Sequence, residues 1–121
     1  MNRTVRMPLK TESTNCLLGM HHFARAKLTK MHRTEAWKCM RSTGSVTVSE
    51  PLLVTLTRES AGILDDDNLR GAIKAIRDGV ADWLGVPDND PRVTWAYAQR
   101  TVPRKQYAVE VCVQRIDFAQ R

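Results

Sequence analysis

Apolar residues follow two periods along this chain, and the changes from one to the other mark out its elements. Val5, Met7 and Leu9 share the parity of Arg3 and alternate with Thr4, Arg6 and Pro8. This period of two predicts a short strand ending near Pro8, because proline cannot donate to a sheet ladder. Polar turn-formers occupy Thr11 to Asn15. From about Gly19 to Arg41 helix formers dominate and no proline or further glycine intervenes, which predicts one long helix. Met20, Ala24, Leu28 and Met31 can line its apolar side, while Arg25, Lys30, Arg33, Lys38 and Arg41 make the rest strongly positive. Ser42 to Ser45 breaks this helix, and Pro51 separates a weak extended piece at Val46 to Val48 from a predicted strand at Leu52 to Arg58. A turn is expected at Glu59 to Gly62.

A second helix is predicted from about Asn68 to Leu84, stopped by Gly85 with Pro87 beyond. At about 100° per residue from Asp67, the positions Leu69, Ala72, Ile73, Ile76, Val80, Trp83 and Leu84 fall within roughly 140 to 260° and define a core face. Lys74 and Asp78 rise in line with Asp67 on the other side, where they read either as an ordinary ion pair one turn apart or as part of a site. After the tight Pro87 to Pro91 connection, Arg92 to Gln99 is a predicted strand with Val93, Trp95 and Tyr97 on one face. A basic loop comes next at Thr101 to Gln106, then alternation of Tyr107, Val109, Val111 and Val113. These last two strands are expected to form a hairpin, and Ile116 to Arg121 a loose tail.

The 121 residues are read as one domain, 1–121, with room for a real core. The net charge of +6 is unevenly placed. Residues 1–44 carry nine Lys/Arg against Glu12 and Glu35, whereas residues 45–121 carry ten against eleven acids. A basic third beside an acidic knot suits a polyanion held at one surface and attacked at another, although basic surfaces also serve solubility alone. Cys16, Cys39 and Cys112 are odd in number and scattered, without zinc spacing, so a reducing cytoplasmic setting is expected rather than a disulfide framework or a zinc centre. The sequence contains no charged-then-apolar leader and no run of 18 apolar residues, so neither export nor a membrane span is expected.

The acidic knot is Asp65-Asp66-Asp67-Asn68, set between Ile63-Leu64 and the start of the second helix. Adjacent carboxylates repel one another, and a hard cation with oxygen ligands, Mg²⁺ above all, is one reason to keep them together. Helix capping is the other, since Asp and Asn are favoured at the N-cap and first turn. The residues alone leave both open.

In combination the motifs point further. D-x-D-N-L at Asp65 to Leu69, K-x-x-x-D from Lys74 to Asp78, and Asn89-Asp90-Pro91-Arg92-Val93 before a strand resemble the RusA family of Holliday junction resolvases, in its phage-borne branch. The stretch from Thr14-Asn15 through His22 to Lys27 is similar to that branch as well, so the resemblance covers most of the chain. It implies a small α+β domain with a mixed sheet and two main helices, acting as a homodimeric, Mg²⁺-dependent endonuclease on four-way DNA junctions. Asp65, Asp67 and Asp90 would be the catalytic, metal-holding aspartates, expected to converge closely enough to share a cation. Lys74 would steady charge at the phosphate. Arg25, Lys27, Lys30 and Arg33 of the basic helix, with Arg104 and Lys105 of the loop, are the expected DNA-binding surface on each side of a two-fold dimer.

Two positions depart from the family pattern. Its lysine lies four residues after the second motif aspartate, where this chain has Gly71, so Lys74 takes that role only by a shift of nearly one helical turn. Asn89 stands where many relatives carry an acid, so either Asp88 substitutes for that acid or the acid is not a ligand. His21 and His22 are possible DNA contacts, and Trp37, Trp83 and Trp95 are expected in the core or a dimer interface. A non-catalytic DNA-binding or regulatory phage protein that uses the acids only as caps is the alternative, and a nuclease acting on flaps, other branched DNA or RNA a third reading.

Overall fold

A computed structural model describes residues 2–116. Of the expected loose tail, positions 117–121 lie outside the described residues. The chain is α+β: strand β1 (Asn2–Met7), a short helix α1 (Thr14–Gly19), the long helix α2 (His22–Arg41), β2 (Leu52–Ser60), α3 (Asp66–Leu84), β3 (Val93–Thr101) and β4 (Ala108–Arg115). The strands form one mixed sheet in the order β1-β4-β2-β3. Strand β4 is antiparallel to both β1 and β2, and β2 is parallel to β3.

Alternation decides which face meets the helices. Val109, Val111 and Val113 of β4 and Val54 and Leu56 of β2 are fully buried in one core with Met7 of β1. Over them lies α3, whose predicted core face is confirmed at every position: Leu69, Ala72, Ile73, Ile76, Val80, Trp83 and Leu84 are all buried. Gly85 ends the helix at φ +73°, a left-handed conformation that glycine adopts without a Cβ clash. The opposite sheet face carries a charged network instead. Glu59 is 4% exposed and receives Nε and Nη2 of Arg6 from β1, while Arg100 of β3 bridges Glu59 to Glu110 of β4. Hydrogen bonding by Arg6 is the main reason that the Glu59 carboxyl lies below its usual range.

Several sequence expectations need correction. The last two strands do not form a hairpin, because β2 lies between them: the chain leaves β3, crosses the end of β2 and enters β4 on its far side, with Ala108 opposite Glu59. Alternation reports the face of a strand and not its neighbour. The long helix begins at His22, not Gly19, and a separate short helix, α1, precedes it, starting at Thr14 within the expected turn-formers. Its packed stripe is His32, Ala36 and Met40, not Met20, Ala24, Leu28 and Met31; Met31 is 42% exposed. Glu59 and Ser60 extend β2 rather than turning, since they pair with Arg100 and Thr101. No strand forms at Val46 to Val48, although Val48 is buried. Among the described residues no helix is long and apolar enough to cross a membrane.

The stripe on α2 is chosen by what it faces. A Cβ on Gly79 of α3 would collide with the backbone carbonyl of Arg33 and stand 2.8 Å from Ala36 Cβ, so Gly79 and Ala36 let the two helix backbones approach closely. Gly79→Ala gains about 1 kcal/mol in helix propensity but must push α2 away. The expected net outcome is destabilisation by roughly 1–3 kcal/mol, as for other overpacked cores, measured as a lower urea midpoint with an unchanged m-value.

Candidate functional site

The acidic turn at the start of α3 is held from four sides. Asp65 is the N-cap, extended at φ −67° and ψ 169°, and its Oδ1 accepts from the Asn68 backbone N–H at 2.9 Å. The Asn68 side-chain amide also donates to both Asp65 oxygens, at 3.0 and 3.1 Å. Asn68 Oδ1 in turn accepts from the Asn15 backbone N–H of α1 at 3.1 Å. On the strand side, the Gln99 side chain of β3 makes two 2.8 Å bonds to the Leu64 backbone, one to its N–H and one to its carbonyl. Beneath the turn, Arg58 is buried and donates to Thr11 Oγ1 at 3.0 Å and to the Gly62 carbonyl at 2.9 Å. Burial lowers the pKa of Arg58.

This scaffold presents exposed carboxylates. Asp65, Asp66 and Asp67 all face solvent. Asp65 is engaged by Asn68, and Asp66 by Arg70 at 3.0 Å in an ordinary ion pair one turn apart. Asp67 differs: among the described residues no side chain or backbone N–H binds its carboxylate, and only its backbone carbonyl receives Thr14 Oγ1, at 3.4 Å. Asp67 is therefore free for an external cation or donor.

Lys74 sits farther along α3, with Nζ 2.7 Å from Asp78 and 2.8 Å from Asp88. Burial opposes its charge, but the hydrogen bonds and attraction of the two carboxylates outweigh that cost and raise its pKa. Arg77 completes the cluster, reaching the Asp88 backbone carbonyl at 3.0 Å and the Tyr97 hydroxyl at 2.6 Å. Gly71 has a packing role: a Cβ there would collide with the Thr14 side chain of α1. A side chain at 71 would force Thr14 to move, next to Asn15, whose backbone N–H donates to Asn68.

Asp90 lies elsewhere. It comes after the C-terminal end of α3, a helix of 19 residues and about 28 Å at 1.5 Å per residue, whereas Asp65 and Asp67 flank its start. Arg92 binds both Asp90 oxygens through Nε at 3.1 Å and Nη2 at 2.8 Å, and its backbone N–H adds a third bond at 2.9 Å. These hydrogen bonds, led by those from the guanidinium, push the Asp90 carboxyl down to about 2. Arg92 also donates to the Val48 carbonyl, tying the start of β3 to the 45–50 segment. Among the described residues no three His, Cys, Asp or Glu side chains form a group that could hold a metal. Asp65 is taken up by Asn68 and Asp90 by Arg92, so of the three expected ligands Asp67 alone has a carboxylate with no partner among the described residues.

The basic residues divide in the same way. Arg104 and Lys105 are exposed in the loop leaving β3, at the sheet end where β2 delivers the acidic turn. Arg25, Lys27 and Lys30 lie along α2 with no ion pair among the described residues, while Arg33 is forked onto Asp82 at 2.7 and 2.8 Å. Trp83 is core and donates to the Gly44 carbonyl, Trp95 packs against the core, and Trp37 is 40% exposed. Sequence reasoning passed over Arg58 and Gln99. The signal for Arg58 is its parity with Leu52, Val54 and Leu56, which places a cation on the buried face of a strand.

The chain matches no protein-family model and no curated protein.

The Asp90–Arg92 pair makes a pH prediction. A carboxyl lowered from 3.8 to about 2 in the folded chain contributes stability that is present above about pH 4 and lost as pH falls through 2. Asp90→Asn should thus destabilise the protein at pH 6, and wild type and variant should draw together between pH 4 and 2. Urea midpoints across that range measure the convergence, and a constant gap would separate stability from this ionisation.

Proposed function

We propose that the protein is a homodimeric, Mg²⁺-dependent endonuclease that cuts branched DNA, four-way junctions in particular, with Asp65 and Asp67 at the reacting phosphate. The observation that carries this reading is Asp67: an unpaired carboxylate on a turn fixed by Arg58, Gln99, Asn68 and α1. Such preorganisation serves a group that acts on something outside the chain. Capping accounts for Asp65 and needs neither the free Asp67 nor the cations beside it. Arg104 and Lys105 would hold phosphates at the same end of the sheet, and α2 would extend that hold over a longer stretch of backbone.

Asp90 would join this reading through a second copy. It follows the far end of α3 from Asp65 and Asp67, and in a two-fold dimer one protomer's start of α3 can face the other protomer's Asp90. Each of two composite centres would then draw on both copies, and the dimer axis would account for paired cuts in a symmetric junction. Mg²⁺ at such a centre supplies charge neutralisation and an activated water. The chain's own part is to place Asp67, release Asp90 from Arg92 and keep Lys74 charged.

A non-catalytic DNA-binding protein is the second reading, favoured by the complete occupation of Asp65 as a cap and of Asp90 by Arg92. Mixed dimers separate the two. Asp67→Asn and Asp90→Asn homodimers should each lose cleavage of a four-way junction while still binding it. A mixed dimer of the two variants should recover one intact composite centre and nick one strand, dependent on Mg²⁺. No recovery, with both homodimers inactive, would place any centre within single copies; wild type that binds junctions and never cuts them would leave the DNA-binding reading.

A further inference from the structure

We infer that α2 carries a second nucleic-acid site, a groove for an unpaired strand whose bases stack on exposed rings at its two ends. The inference rests on the proposed nucleic-acid partner and adds to it the single-stranded class of ligand. At one end His22 and Phe23 bring their rings to 4.2 Å between centroids, with His21 stacked on His22 at 4.4 Å. Phe23 is 73% exposed, so the ring cluster sits in water with no cover from the described chain. From His22 an open groove of about 500 Å³ runs past Arg25 and Lys30 to Arg33. It continues for about 410 Å³ past Arg33 to Trp37, the second exposed ring.

The chemistry of the groove selects the occupant. No Asp or Glu occurs between Ser13 and Thr34, so the helix surface is uniformly cationic over that length. Asp82, the one acid lining the groove among the described residues, pairs with Arg33, which leaves Arg25 and Lys30 as the groove's unpaired cations. A partner must then be anionic along its length and must also offer flat apolar faces to rings. A duplex offers the first and hides the second, since its bases are stacked inside. An unpaired strand offers both, with phosphates tracking the cations and bases on the rings. From His22 to Trp37 the helix rises about 22 Å at 1.5 Å per residue, which accommodates about six nucleotides at the ~3.4 Å spacing of a stacked strand. On a 100° wheel His22, Phe23, Lys30, Arg33 and Trp37 fall within about 100°, with Arg25 about 60° to the other side of His22.

The test uses the full chain, in EDTA so that cleavage plays no part. Fluorescence anisotropy compares a labelled 12-mer of thymidines with an abasic 12-mer carrying the same phosphates. Wild type should bind the thymidine strand more tightly. Phe23→Ala and Trp37→Ala, both at exposed positions, should each weaken thymidine binding about 5- to 150-fold, the range for losing one stacked base, and leave abasic binding unchanged. Lys30→Glu should weaken both strands alike. Equal wild-type affinity for the two strands would overturn the inference, as would ring variants that bind thymidine like wild type. Ring variants that become monomeric while retaining the thymidine preference would also overturn it, and would assign the rings to contact between copies. The nuclease reading fails separately: base preference without any junction cleavage leaves this groove standing, and cleavage without base preference removes only the groove.

Discussion

Two parallel strands joined in sequence must be connected by an element that runs the full length of the sheet in reverse, and the β2–α3–β3 unit imposes that constraint on everything functional in this chain. The segment after β2 emerges at one end of the sheet, and the segment before β3 enters at the other. The acidic turn therefore shares its end with the loop bearing Arg104 and Lys105, while Asp90 is carried to the opposite end. The pairing also fixes the interior, since α3 must lie on Val54, Leu56 and Val111 and so has one face to bury. Helix α2 packs on α3 through the small residues Ala36 and Gly79, touches β1 at the edge of the sheet and leaves its cationic flank open.

How far this architecture is legible in the sequence depends on whether a property belongs to one element or to a pair. The buried face of α3 is legible because seven apolar positions fall in a single arc, a property of the helix alone. Gly85 as its stop is legible for the same reason. The stripe of α2 is not, because Ala36 is selected by Gly79 on another helix and His32, a polar residue, gives no apolar signal. Strand β4 shows its alternation plainly, yet nothing in that alternation says that β2 will stand between it and β3.

The candidate site divides along the same line. The acidic run is visible in sequence, as is the chance that its first member only caps a helix, and Asp65 does cap. The partners that make the turn rigid come from distant positions: Arg58 from the inner face of a strand, Gln99 from the next strand, Asn15 from a helix too short for periodicity to reveal. The separation of Asp90 from Asp67 is a property of sheet topology, which motif spacing along the chain does not encode. Gly71, a departure when measured against a motif, becomes a packing residue once Thr14 is seen against it.

Strand order also governs the timing of assembly. The first strand to be made, β1, has β4 as its one neighbour, and Asn2 pairs with Gln114. During synthesis β1 has no ladder to join until β4 has been released from the ribosome. Residues 2–7 must wait as an unpaired segment whose Val5 and Met7 have no sheet to cover them. Closing a loop of that length comes late and is entropically costly. In a nascent chain β1 is thus the strand that waits longest for its partner, and such an uncovered segment is where a chaperone or an early-acting protease would find its grip.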